Sequence, residues 1–208
     1  NKAVMTLGAV APRLLSNLVK LIHERKPEAY LCLICLVNLS YLDDAVRVVF
    51  QFVPHDYENS SRNYKNNGSD SALKNPKSLL RVIESLLLYT LPPQDHHSAE
   101  SETLRWSVTL LRLLSTLESN TSVIAVTQIP HRVVSYLKQT TLPSMSWTSH
   151  SIEDSSLHLV YNMARWPGCK GMLSSLGVIE VVDKILCESG VGGVYEFRAS
   201  VIKCCLES

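Results

Sequence analysis

Apolar residues return at spacings of three and four along most of this chain, the pattern of amphipathic helices. Val10, Leu14, Leu15, Leu18, Leu21 and Ile22 predict a helix over Val4–Arg25, with Pro12 near its start where proline is tolerated. Lys26-Pro27-Glu28 breaks it. The next helix, Pro27–Ser40, is apolar nearly all round, which predicts a central helix packed on several sides. Asp43-Asp44 supply an N-cap and a first-turn acid for Ala45–Phe52, and Asn75-Pro76 do the same as N-cap and N1 for Pro76–Leu91. Leu104, Val108, Leu111, Leu114 and Leu117 form one stripe on a helix over Ser101–Leu117. Shorter helices follow at Val123–Gln128 and Pro130–Thr140. Ser151-Ile152-Glu153-Asp154 has the order of a capping box and opens a helix ending near Ala164. Helices over Cys169–Ser175, Gly177–Glu188 and Tyr195–Leu206 complete the series. No segment carries a convincing strand pattern.

Between these helices lie polar stretches without periodicity. Pro54–Asn75 is rich in Asn and Ser, and a loop of about twenty residues inside a compact domain is unusual. It reads as an insertion, as does the shorter Thr141–His150. Gln94–Glu100 is a further polar loop, and Gly190–Gly193 reads as a hinge between helices.

Two short patterns recur. Leu7-Gly8-Ala9-Val10 and Leu176-Gly177-Val178-Ile179 are Gly-led entries to an apolar helix, with Val126-Thr127-Gln128-Ile129 a weaker copy. Leu36-Val37-Asn38-Leu39-Ser40 and Val160-Tyr161-Asn162-Met163-Ala164 are apolar helix ends, with Leu111-Arg112-Leu113-Leu114-Ser115 a degenerate one. A repeated helical unit is the mark of a solenoid. The cadence of short helix, Gly-led helix and Asn-ended helix resembles an armadillo repeat, most clearly from Ser155 to Leu186. Thr127 and Gly177 are 50 residues apart, and Leu113 and Asn162 are 49 apart, close to the roughly 40–47 residues of armadillo and HEAT units once an insertion is added. The 75 residues from Asn38 to Leu113 contain the long insertion.

The resemblance implies an all-α, right-handed α-α superhelix over residues 1–208, one domain with insertions at about 54–75 and 141–150. It also implies a binding mode. In that family the third helices line a concave groove, and the groove Asn holds extended peptide, since an amide can donate and accept at once. Asn38 and Asn162 stand at that position. Helical steps from Asn162 add Ser155, His158 and Arg165 on one face, and the central helix adds Trp106, Thr109 and Thr116. The equally available structural role for each Asn is to cap a neighbouring helix end or carbonyl. The family's nuclear-import adaptors carry a Trp one turn before the groove Asn; here Ile34, Thr109 and His158 hold those places, which argues against import-signal binding. Arg105, Arg112 and Arg165 give weak support to a basic groove for acidic peptides.

Composition narrows the function classes. The 208 residues carry 20 basic and 19 acidic side chains, a net charge of +1. That balance gives no support to a nucleic-acid or membrane-surface role. No apolar run approaches a membrane span. Six cysteines, mostly in apolar helical stretches, read as small core hydrophobes in a reducing compartment, the cytoplasm or the nucleus. Three N-glycosylation sequons, one at Asn120, read as chance matches. Cys32-Leu33-Ile34-Cys35 has redox or zinc spacing, yet lies mid-helix with no second ligand pair. Asp95, His96 and His97 read as solvated loop residues. No phosphate loop, nucleophile elbow or zinc motif occurs.

The expected function is therefore a non-enzymatic scaffold or adaptor that needs no cofactor. Its concave face or its insertions bind a protein or peptide partner through Asn38, Trp106, Thr109, His158, Asn162 and Arg165. The alternatives are a structural subunit joined through apolar solenoid ends, as Cys204, Cys205 and Leu206 suggest, or a regulator such as a GTPase exchange factor.

Overall fold

The computed structural model describes residues 17–24, 28–41, 79–90, 98–139, 151–188 and 194–208. Residues 17–23 are helical. The helices that follow are α1 (Ala29–Ser40), α2 (Leu79–Thr90), α3 (Ala99–Leu114), α4 (Glu118–Ala125), α5 (Ile129–Gln139), α6 (Ile152–Ala164), α7 (Pro167–Ser175), α8 (Val178–Glu188) and α9 (Val194–Glu207). No strand occurs among the described residues, so the all-α expectation holds for them. The predicted Ala45–Phe52 helix, both insertions, the Gly8 motif, the Asp95–His97 loop and the Gly190–Gly193 hinge lie outside the described residues.

Helix boundaries follow from side chains that compete for backbone groups. The Ser98 hydroxyl accepts from the Ser101 amide at 3.1 Å and starts α3 at Ala99, two residues before the expected Ser101. The same helix stops at Leu114, short of the expected Leu117. There the Ser115 hydroxyl donates to the Arg112 carbonyl at 2.8 Å, and the Thr116 hydroxyl to Leu113 at 2.7 Å. Helix α4 begins at Glu118, five residues before the apolar signal at Val123. Its polar first turns are used to hold the end of α3: the Asn120 amide donates to the Leu114 carbonyl (3.0 Å) and the Thr121 hydroxyl to that of Ser115 (2.8 Å). Asn120 is buried in this role.

Packing has a three-helix rhythm. Helix α3 packs on α6, and α6 on α9; α2 packs on α5, and α5 on α8; α4 packs on α7. Helix α1 extends the first row by packing on α3. Neighbours in that row run parallel at the α3–α6 contact. Thr109 meets Ser155 at 3.1 Å and Asn162 meets Ser115 at 3.0 Å, so residue number rises in the same direction on both helices. One apolar core joins the described helices, from Leu18 through Leu33, Ile83, Leu111, Leu157 and Val182 to Ile202. Each such fully buried leucine contributes about 2 kcal/mol by removal from water.

Helix α1 is less enclosed than its composition predicts. Ala29, Cys32, Leu33, Leu36 and Val37 are buried, while Leu31, Cys35, Asn38 and Tyr41 leave one face open. An apolar residue at every position cannot mark which face has a neighbour. The cysteines divide in the same way: Cys32 and Cys169 are core residues, whereas Cys35, Cys187 and Cys204 are exposed.

The chain turns from α7 to α8 at Gly177, which has φ +72°. The Gly177 amide donates to the Ser174 carbonyl at 3.0 Å, closing the turn. A β-carbon on Gly177 would lie 2.4 Å from Lys138 Nζ, whose ammonium bridges to Glu180 at 3.0 Å. Replacing Gly177 with Ala is expected to cost about 1–2 kcal/mol, from the left-handed backbone more than from the movable lysine. Urea unfolding of the two proteins measures it, and a loss in Lys138→Ala matching that of Gly177→Ala would assign the cost to the ion pair instead.

Candidate binding face

The row formed by α1, α3, α6 and α9 carries every side chain singled out in the sequence as a binding candidate. Its polar centre is a carboxylate. Asp154, on the first turn of α6, is 5% exposed and is gripped from both sides. Arg112 reaches it from α3 at 3.3 Å, and Arg198 reaches it from α9. The Ser151 hydroxyl caps the helix by accepting from the Asp154 amide at 3.1 Å. Half of the expected capping box is thus present, and the carboxylate that could complete it is committed to the two guanidinium groups. One acid holds three helices in register.

His158 lies one turn beyond Asp154 on the same face. Its Nδ1 is buried without a hydrogen-bond partner. Burial, and then the Arg198 and Arg112 guanidinium groups, push its pKa down to about 4, against the opposing pull of Asp154. The imidazole is therefore neutral at pH 7. Its ring meets the Tyr161 ring edge-on, with centroids 5.7 Å apart.

Asn162 and Thr109 face inward. Asn162 is 4% exposed, and its amide donates to the Arg112 carbonyl at 2.9 Å and to the Ser115 hydroxyl at 3.0 Å. This is the structural role that was open for it: it ties the end of α6 to the last turn of α3. Thr109 is wholly buried, with its hydroxyl on the Arg105 carbonyl (2.9 Å) and against Ser155. Thr116 is exposed, and Ile34 is half-buried.

Asn38, Trp106 and Arg165 face outward. Asn38 is exposed beside Leu31, Cys35 and Tyr41. Trp106 is half-buried; its indole N–H donates to Glu102 at 3.1 Å, and the Arg105 guanidinium lies 5.1 Å from its ring centre. Arg105 also pairs with Glu102 at 2.6 Å. Arg165, at the end of α6, is exposed and lies 5.7 Å from the Tyr161 ring. On α9 the pattern recurs, with Arg198 5.9 Å from the Tyr195 ring. Each of α3, α6 and α9 thus presents one arginine against one aromatic plane. The sequence pattern gave Asp154 only a place in the capping box, and offered no role for Arg198 and Tyr195. Two of them left a signal: a charged residue stands where the helical period expects an apolar one.

The Cys32–Cys35 pair gathers no further ligands: no group of three or more His, Cys, Asp or Glu residues that could hold a metal occurs among the described residues. No described helix is long and apolar enough to cross a membrane. The interstice between α5, α6 and α8, lined by Val134, Leu157, Val160 and Val182, is apolar and too tight for a water molecule. The chain matches no known protein family, and a search of curated proteins finds no relative.

Removing the central charge should be costly. Asp154→Asn removes the carboxylate that Arg112 and Arg198 share in a mostly buried site, and is expected to lower stability by about 3 kcal/mol or more in urea unfolding. A loss below about 1 kcal/mol would show that solvent already satisfies both arginines.

His158 sets a pH dependence of known sign. The unfolded chain takes up the imidazole proton below about pH 6.5, whereas the folded chain releases it down to about 4. Stability from this group therefore falls as pH drops through that window, and falls no further below it. The melting temperature of the wild type should drop more between about pH 7 and about pH 5 than that of His158→Gln. Equal drops would remove His158 as the cause.

Proposed function

We propose that the chain is a divergent armadillo-like, right-handed superhelix acting as a non-enzymatic scaffold, and that the outward face of α1, α3, α6 and α9 binds a segment of a partner protein. The observation that carries this reading is the parallel contact between α3 and α6. Its two hydrogen-bonded pairs join residues 46 and 47 positions apart, the length of one repeat in such proteins. The three-helix packing rhythm and the left-handed turn at Gly177 fit the same unit. All six thiols are free, which suits a cytoplasmic or nuclear protein.

Within that reading the candidates separate into two groups. Asn38, Trp106 and Arg165 offer side chains to a partner, with His158 at the margin. Asn162 and Thr109 support the face from within. A triple Asn38→Ala, Trp106→Ala, Arg165→Ala variant should therefore weaken partner crosslinking in native cell extract by about tenfold or more; the Asn38→Ala, Arg165→Ala double variant, which leaves the core-packed Trp106 in place, should weaken it at an unchanged melting temperature. Thr109→Ala and Asn162→Ala should instead lower the melting temperature. Undiminished crosslinking by the triple variant sinks the outward-face reading.

Phe197 favours a second reading, a structural subunit of a larger assembly. It is 64% exposed on α9, and an exposed aromatic on a row of helices is a natural contact. Light scattering separates the two: a multimer that Phe197→Ser converts to monomer supports the assembly.

A further inference from the structure

We propose that Cys32 and Cys35 are a reversible redox pair: a hydroperoxide oxidises Cys35, and Cys32 then closes a disulfide that loosens the start of α1. The two stand three residues apart, on neighbouring turns of one side of the helix. They straddle the edge of the core. Cys32 is 7% exposed and belongs to the apolar cluster, whereas Cys35 lies on the open side with Leu31, Asn38 and Tyr41.

Exposure assigns the roles. A peroxide in solution reaches Cys35 before Cys32. The Cys35 sulfur attacks the outer peroxide oxygen, so an S–O bond forms as the O–O bond breaks. The departing oxygen takes up the proton that Cys35 gave up and leaves as alcohol or water. The Cys32 sulfur then attacks the Cys35 sulfur. An S–S bond forms, the S–O bond breaks, and hydroxide leaves with the Cys32 proton as water. Two thiols lose two electrons in all, and one peroxide gains them. Cys32 suits the second step, because burial, and then the neighbouring Cys35, push its pKa up and keep it a thiol until the sulfenic acid forms beside it.

The turn that carries the pair is loosely built. β-Carbons three residues apart on a helix lie about 5–6 Å from each other, and a disulfide holds them at about 3.5–4.5 Å. Closure therefore draws the first two turns in by about 1 Å or more. Glu28, at the N-cap, makes no side-chain hydrogen bond to the first turn. The Cys32 amide lies 3.4 Å from the Glu28 carbonyl, which the Leu31 amide holds at 2.9 Å. The far end is tied, with the Ser40 hydroxyl donating to the Leu36 carbonyl at 2.7 Å. Moving Cys32 toward Cys35 takes its sulfur out of the core and shifts Leu33, itself fully buried. The start of α1 loosens while its end stays. The same misfit makes the bond easy to reduce, so glutathione reopens it.

Peroxide treatment of the full chain, then alkylation of free thiols in denaturant and tryptic mass spectrometry, tests the pair. Residues 26–47 form one tryptic peptide whose only cysteines are Cys32 and Cys35, since Pro27 blocks cleavage after Lys26. That peptide should lose both alkylation sites together and weigh two hydrogen atoms less than the free dithiol. Glutathione should restore both sites. Cys32→Ala should leave Cys35 as a sulfenic acid that dimedone traps, and Cys35→Ser should leave Cys32 open to alkylation at the same peroxide dose. Amide hydrogen exchange at residues 31–36 should quicken about tenfold in the oxidised chain and not in peroxide-treated Cys35→Ser. Sites lost singly, a disulfide from either sulfur to another cysteine, or Cys35 passing to sulfinic acid ahead of any disulfide overturns the pairing. A disulfide that glutathione leaves intact overturns the reversibility, and unchanged exchange overturns the loosening.

Discussion

Three of the four helices in the described row, α3, α6 and α9, are tied together by one buried charge. Asp154 meets Arg112 and Arg198 in a site where none of the three can be left alone, because an unpaired ion there costs far more than an apolar side chain. Apolar packing between helices tolerates sliding, since leucines interchange with little loss. A two-sided ion pair does not. It fixes how far α3 and α9 stand along α6, and so fixes where every other side chain on their outward faces lies. Glu84 does similar work in the second row: from α2 it accepts from the Gln128 amide at 2.8 Å, at the start of α5.

That division of labour explains which parts were legible in the sequence. Helix α6 was readable because Ser151 caps it and Leu157, Val160 and Met163 keep the period. Gly177 was readable as a bend, since only its backbone freedom matters there. The polar first turns of α4 were not readable: Asn120 and Thr121 look like loop residues until the carbonyls they bind are known. Asn162 shows the limit most clearly. Its position in the motif was legible, whereas the direction of its amide depends on α3, which lies outside its own segment of sequence.

The face that remains is small in chemistry and specific in arrangement. Arginine beside an aromatic ring occurs on three neighbouring helices, and the rings restrain side chains that would otherwise sample many rotamers. Side chains already ordered lose less entropy on meeting a partner than free ones do. Trp106 contributes through this restraint as well as through its own area.

The parallel run of α3 and α6 carries an electrostatic consequence. Parallel helices align their macrodipoles, so their carbonyl-rich C-terminal ends gather on one edge as like partial charges. Such an edge would repel itself unless each end received donors. Asn162 supplies one by donating to the Arg112 carbonyl in the last turn of the neighbouring helix, and Arg165 places a full positive charge at the end of its own helix. Helix α6 thereby quiets the terminus of α3 as well as its own, which offsets the cost of stacking the two in a single direction.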